Sequence, residues 1–271
     1  MNVLIVGRAK TGTTVVSKTI ENSLEGESSY SLEPKDLSHF FQPENYRTGV
    51  NHVTKIIYEH WNLIPRSRMA LICNETPLKF DKRVFIVRDP RDELLSRLLY
   101  FIRPWTDANG CHPEKNGAWI EALKKKESNP AAISFLQMVT IFDEIYDTKM
   151  HSQVLQERGF QQFFNFTTKK ETNGFTLRYE DFIVGEVEPL EHYLDQKLTD
   201  KRDVGVLSRT RRSASFNNWK SFFTEEDIAV LKPIYADLLQ SMGYSDWELD
   251  SVDRLPADEN SEYASRLVSQ R

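Results

Sequence analysis

Short apolar runs alternate with helix-periodic stretches along most of the chain. Asn2-Val3-Leu4-Ile5-Val6 is β-branched and of strand length, and Val15 to Leu24 has the look of a helix. Glu25 to Ser29 is a polar loop, and Tyr30-Ser31-Leu32-Glu33-Pro34 predicts a short strand stopped by proline. Val53 to Tyr58 reads as a buried strand carrying one lysine, Lys55, whereas Met69 to Asn74 suits a strand or a helix equally. Val84-Phe85-Ile86-Val87 is a buried strand, and Glu93 to Arg103 a helix with Leu94, Leu95, Leu98, Leu99 and Ile102 on one face. Pro104 to Asn129 is polar; its Lys124-Lys125-Lys126 run predicts a solvated helix face, with a loop near a substrate as the alternative. Asn129-Pro130 opens a long helix through Phe135, Met138, Val139, Phe142 and Ile145. Phe175 to Tyr179 is another strand, followed by helix-like sequence around Leu190. Thr224-Glu225-Glu226-Asp227 caps a last helix along Ile228, Leu231, Tyr235, Leu238 and Met242, kinked at Pro233 and ended by Gly243.

Strands alternating with helices predict an α/β fold, a mainly parallel sheet with helices on both faces. A chain of 271 residues suits one domain over 1–247, with 248–271 as a polar tail. No internal repeat or low-complexity segment stands out. The net charge of −5 argues against general nucleic-acid binding, so an anionic ligand needs a local basic pocket. Two cysteines, Cys73 and Cys111, give no disulfide framework and fit a reducing compartment. No apolar stretch is long enough to span a membrane, and the N-terminus enters the first strand without a signal peptide. The expectation is a soluble cytoplasmic protein.

The first strand ends in Gly7-Arg8-Ala9-Lys10-Thr11-Gly12-Thr13-Thr14, directly before the first helix. Strand, glycine-bounded loop and helix start form a phosphate cradle, because loop N–H groups and the helix N-terminus both favour an anion. The spacing of Gly7 and Gly12 matches the nucleotide-triphosphate loop, but Thr13 stands where that loop has lysine, and the lysine lies inside the loop at Lys10.

Lys10-Thr11-Gly12-Thr13-Thr14 resembles the phosphosulfate-binding loop of sulfotransferases that use PAPS (3′-phosphoadenosine 5′-phosphosulfate), P-K-[ST]-G-T-T, with Ala9 in place of proline. Arg8 and Ala9 complete the cofactor-binding stretch that the resemblance implies. Val84 to Phe101 is similar to the family's 3′-phosphate segment, an arginine paired with a serine eight positions on, here Arg88 and Ser96. Arginine offers a planar fork for two phosphate oxygens, and serine adds a neutral donor; a salt bridge from Arg88 to Asp89 or Asp92 is the alternative. Leu177-Arg178-Tyr179-Glu180-Asp181-Phe182 resembles the family's Y-E-D-[LF] strand end, which implies that Tyr179 lies near the adenine. Arg211 to Lys220 resembles R-K-G-x-x-G-D-W-K through Arg212, Trp219 and Lys220, with Ser213, Ala214, Asn217 and Asn218 departing from it. The resemblance thus implies a P-loop-like sulfotransferase fold, PAPS as cofactor, PAP as product and no metal.

Sulfuryl transfer needs in-line positioning and positive charge more than covalent chemistry. Lys10 is the candidate for stabilising the departing phosphate, and Lys55, a lysine in an otherwise apolar strand, for a second sulfonate contact. A carboxylate or histidine must take the proton of the acceptor hydroxyl. Leu32-Glu33-Pro34 with Phe40-Phe41 resembles the catalytic-glutamate region of heparan-type members, making Glu33 the first candidate base and His60 and His52 the next. Glu75-Thr76-Pro77 is given no role. The acceptor class is a small-molecule, lipid or glycan hydroxyl. Two other functions fit less of the pattern: a P-loop small-molecule kinase, which would need lysine after Gly12, and a non-catalytic PAP-binding protein, which would gain nothing from Lys10 or a base.

Overall fold

The computed structural model describes residues 1–42, 45–62, 67–74, 80–102, 113–199, 205, 212 and 215–269. The N-terminal apolar run becomes β1 (Asn2–Gly7), and the loop after it leads into α1 (Thr13–Ser23). In chain order there follow β2 (Ser28–Leu32), β3 (Asn51–Ile57), α2 (Tyr58–Asn62), α3 (Ser67–Asn74), β4 (Lys82–Val87), α4 (Pro90–Tyr100), α5 (Pro113–Ser128) and α6 (Phe135–Tyr146). The chain continues through α7 (Met150–Val154), α8 (Arg158–Thr167), β5 (Phe175–Arg178), α9 (Tyr179–Val184) and α10 (Glu188–Leu194). It closes with α11 (Asn218–Phe222), α12 (Glu225–Ser241) and α13 (Ser261–Ser269). Cys111, Arg211, Ser213, Ala214, Arg103 and Glu75-Thr76-Pro77 lie outside the described residues.

The chain divides into two compact units, 1–88 with 162–205, and 89–161 with 206–271. The first is an α/β layer. Its five strands are all parallel and ordered β2-β3-β1-β4-β5. On one face Val16 and Ile20 of α1 and its C-cap Leu24 cover Val3, Ile5, Val53, Val84 and Ile86, joined by Leu177, Phe182, Leu190 and Leu194. On the other, Phe166 of α8 packs on Phe85 and Tyr58, at centroid distances of 5.3 and 5.4 Å. With apolar layers on both faces, near-continuous apolar strands are what the sheet needs.

The second unit is helical and is tied together through buried charges. Arg91 lies between the rings of Trp219 and Trp247, 3.8 and 4.7 Å from their centroids, and grips the Asp89 carboxylate with Nε and Nη2 at 3.0 and 2.7 Å. Asp92 accepts from the Asn217 and Trp219 amides at 2.6 and 3.1 Å, setting the start of α11. Asp227, in the first turn of α12, accepts from the Phe135 and Leu136 amides of α6 at 2.7 and 2.9 Å.

Several boundaries differ from the sequence pattern, each for a local reason. Met69 to Asn74 is helical, inside α3. Residues 130–132 form a 3-10 turn, and α6 starts afresh at Ser134, whose side chain forms a capping box with Gln137. Pro233 sits inside α12 without ending it. The lysine run is not one solvated face: Lys124 is exposed, but Lys126 is fully buried and donates to the Pro130 and Ile133 carbonyls at 2.6 Å each. The stretch past Trp247, tail-like in composition, carries α13 with Tyr263, Ala264 and Leu267 buried, and the Glu127 carboxylate accepts from the Ser261 amide at 2.6 Å.

Candidate functional site

β1 is where the strand order reverses, with β3 on one side and β4 on the other. In parallel sheets the crevice beyond the carboxyl ends at such a point is where ligands bind. Gly7, the last residue of β1, stands in register with Ile57 of β3 and Ile86 of β4, so the loop from Arg8 to Gly12 emerges between the ends of both neighbours.

Both loop glycines are dictated by crowding. A Cβ on Gly7 would lie 2.4 Å from Thr13 Cγ2 and 2.5 Å from Thr11 Oγ1. Gly12 has φ of 82°, and a Cβ there would lie 2.2 Å from the Tyr179 ring. Lys10 is also left-handed, with φ of 74°. Thr11 closes the turn, its amide and hydroxyl donating to the Arg8 carbonyl at 3.3 and 2.8 Å. Gly12 is the N-cap of α1, which has no side-chain cap and no acidic residue in its first turn. Its first-turn amides have no intrahelical acceptor, and their potential favours an anion.

Side chains pin the loop from both flanks. On the β4 side Arg88 Nη1 donates to the Lys10 carbonyl at 3.0 Å, and its guanidinium lies over the Tyr179 ring, 4.7 Å from the centroid. On the β3 side the Ala9 amide donates to both oxygens of Glu59, at 3.3 and 3.2 Å, and Arg8 Nη2 lies 3.6 Å from the same carboxylate. Proline at position 9 would have no N–H to give.

Lys55 comes from β3 on the face that α1 covers, two residues after Val53, as the strand period requires. Only 3% of it is exposed. Its Nζ donates to Thr14 Oγ1 at 3.0 Å and to Glu33 Oε1 at 2.5 Å. Burial pulls the Lys55 ammonium below the ordinary lysine range, and the Glu33 carboxylate opposes that pull. Glu33 lies one residue past β2, and its amide still donates to the Lys55 carbonyl at 2.8 Å. Its φ of 48°, directly before Pro34, is a costly backbone for a non-glycine residue. Ladder and ion pair together hold it there.

The structure therefore brings Arg8, Ala9, Lys10, Thr11, Gly12, Thr13, Thr14, Glu33, Lys55, Arg88 and Tyr179 into one unit, around one loop. Tyr179 is the first residue of α9 rather than the last of a strand, and one ring face carries Arg88. Ser96, buried on α4, and Arg212, whose Nη1 lies 3.9 Å from Glu259 Oε2, belong to the second unit. His60 is exposed on α2. His52 is in the opening turn of β3, roughly 16 Å of strand from the loop end, with Nε2 3.1 Å from the Arg47 carbonyl. Glu59 is the site residue that sequence reasoning missed. Its one signal is an acidic side chain directly after the β3 run.

Among the described residues no group of three or more His, Cys, Asp or Glu is placed to hold a metal ion, and no helix is long and apolar enough to cross a membrane. Fold and loop define an α/β protein with a strand, glycine-bounded loop and helix start at the switch point of a parallel sheet. No protein-family model matches the chain, and no curated protein matches it. Among solved structures the chain is similar to mouse sulfotransferase SULT7A1 complexed with PAP, at 13% identity over 90% of this chain and 89% of that chain, with a TM-score of 0.48.

Proposed function

We propose that this protein is a PAPS-dependent sulfotransferase that transfers a sulfuryl group to the hydroxyl of a small molecule or glycan. The observation that carries the reading is the Lys55 ammonium joined to both Thr14, in the first turn of α1 after the loop, and the Glu33 carboxylate. It links an anion cradle to a candidate base through one buried cation.

The residues fit the cofactor. Two glycines leave the loop no room for side chains on its inner turns. Arg8 and Lys10 lie within it, Arg88 donates to the Lys10 carbonyl and Lys55 to Thr14, four cations at one loop in a chain whose net charge is −5, with Arg8 and Lys55 facing Glu59 and Glu33. When bound, PAPS supplies a sulfuryl group activated by a phosphate leaving group. Lys10 and the first-turn amides of α1 would stabilise negative charge on the phosphate leaving group. Thr13 and Thr14 would hold phosphate oxygens through amide and hydroxyl. Lys55 aims the Glu33 carboxylate, and Glu33 takes the proton of the acceptor hydroxyl. Arg88 would recognise the 3′-phosphate, and Tyr179 serves the nucleotide side by fixing Arg88 and bordering Gly12.

Isothermal titration with PAP and ATP, followed by ³⁵S transfer from PAPS over an acceptor panel, tests this reading. The expected result is PAP binding well above ATP binding, with transfer to at least one hydroxyl acceptor. Equal affinity for ATP and PAP would overturn the cofactor assignment. PAP binding with no transfer to any acceptor would leave a nucleotide-binding protein in place of an enzyme.

A further inference from the structure

We propose that Glu59 is a positioning residue for the anion loop: its carboxylate holds the Ala9 amide and so keeps the loop open to its ligand. The proposal rests on the sulfotransferase reading for the identity of that ligand, but not for the contact itself.

The argument starts from the loop backbone. Lys10 and Gly12 are both left-handed, and for lysine that backbone is unfavourable. Such a conformation persists where its neighbours are fixed on either side. After Lys10, the Lys10 carbonyl is fixed by Arg88 from the end of β4. Before Lys10, the Ala9 amide is fixed by Glu59 from the start of α2, just past the end of β3. One pin is a cation on a carbonyl and the other an anion on an amide, each from just past the end of a strand flanking β1. The turn between them is closed from within by Thr11 on the Arg8 carbonyl. Without the Glu59 pin, the Arg8–Ala9 peptide loses its acceptor and Lys10 loses the restraint on its N-terminal side. Arg8 Nη2, 3.6 Å from Glu59, is held on the same side. A carboxylate beside an anion-binding loop in a net-acidic protein repels the ligand, so its presence calls for a compensating job. Two oxygens on one loop amide supply it.

Four proteins test the proposal: Glu59→Ala, Glu59→Gln, Ala9→Pro and the Glu59→Ala/Ala9→Pro double variant. Each is titrated calorimetrically with PAP and, separately, with inorganic pyrophosphate. Amide hydrogen exchange across residues 8–12 is followed without ligand, and thermal midpoints report on folding. Glu59→Ala should weaken both ligands about tenfold or more, the scale of a lost hydrogen bond to a charged group. It should also speed exchange at Ala9 and Lys10 while leaving the thermal midpoint nearly unchanged. Glu59→Gln keeps an acceptor oxygen and should stay within roughly threefold of the parent. In the Ala9→Pro background, where no N–H exists to be held, Glu59→Ala should change affinity less than about twofold.

Tighter binding in Glu59→Gln or Glu59→Ala would overturn the proposal and make Glu59 a competing anion. Equal weakening by Glu59→Ala in both backgrounds would overturn it as well. If the parent binds neither PAP nor pyrophosphate, the sulfotransferase reading falls, and exchange in Glu59→Ala alone decides on Glu59: faster supports the pin, unchanged refutes it. If Ala9→Pro does not fold, the contrast between Glu59→Ala and Glu59→Gln decides.

Discussion

Glu33 and Lys55 are each hard to explain alone and straightforward together. A lysine with 3% exposure needs an anion, and a glutamate in left-handed backbone needs anchoring; a 2.5 Å ion pair meets both needs. If Glu33 is the base, Glu33→Gln keeps its shape and removes its basicity. Near-normal PAP affinity by calorimetry and a 10²–10⁴-fold loss of kcat by ³⁵S transfer are expected, the usual scale for a general base. Unchanged kcat would shift the role to His60 on α2, which is exposed and close in sequence to the loop-facing Glu59. Arg88 separates two jobs. Its contact with the Lys10 carbonyl would serve any loop ligand, whereas in the proposed function its fork serves the 3′-phosphate. Arg88→Ala should therefore cost PAP about 1.5–3 kcal/mol of binding and adenosine 5′-phosphosulfate, which lacks that phosphate, distinctly less. Equal losses by calorimetry would leave Arg88 as a loop pin only.

At the scale of elements, the loop between β1 and α1 works because two of its positions carry no side chain. Gly12→Ala demands left-handed alanine and drives its Cβ onto the Tyr179 ring, 2.2 Å away. A stability loss of at least about 1–2 kcal/mol in urea unfolding is expected from the backbone conformation alone. PAP binding should fall with it, because relieving the clash means moving Tyr179 from under Arg88. β1, β4 and this loop were legible in the sequence, since an uninterrupted apolar strand, a glycine pair and a displaced lysine each have a direct physical meaning. Glu59 was not legible, because one carboxylate after a strand has no pattern and its partner is a backbone amide. Met69 to Asn74 is apolar enough for either period, and a short run cannot choose. Lys126 misled for the opposite reason: three lysines look solvated until two carbonyls from the next turn take one ammonium out of water. The Asp92 contacts to Asn217 and Trp219 join positions more than a hundred residues apart and leave no local trace.

At the scale of the whole molecule, charge is placed rather than spread. The chain is net-acidic, yet several of its cations are buried and each has a designated acceptor. Lys126 makes this measurable. Burial pushes its ammonium down to about 8 from an ordinary 10.5, so between those values the unfolded chain keeps a proton that the folded protein has released. Unfolding free energy should therefore rise with pH across that window and flatten above it. Lys126→Met should lack that part of the rise, and urea titrations of both proteins at pH 7.5 and 9.5 give the difference; parallel slopes would refute the assignment. A last consequence comes from the order of the strands. The glycine-bounded loop grows from β1, bonded to a strand on each side, whereas Glu33 hangs from β2, an edge strand bonded among the described strands to β3 alone and partly open along its length. Tolerance to sequence change should follow the same gradient. Segment 28–42 can be exchanged, or left to drift, with the glycine-bounded loop intact, so under the proposed function new acceptors are to be sought by grafting or randomising that border rather than by rebuilding the centre.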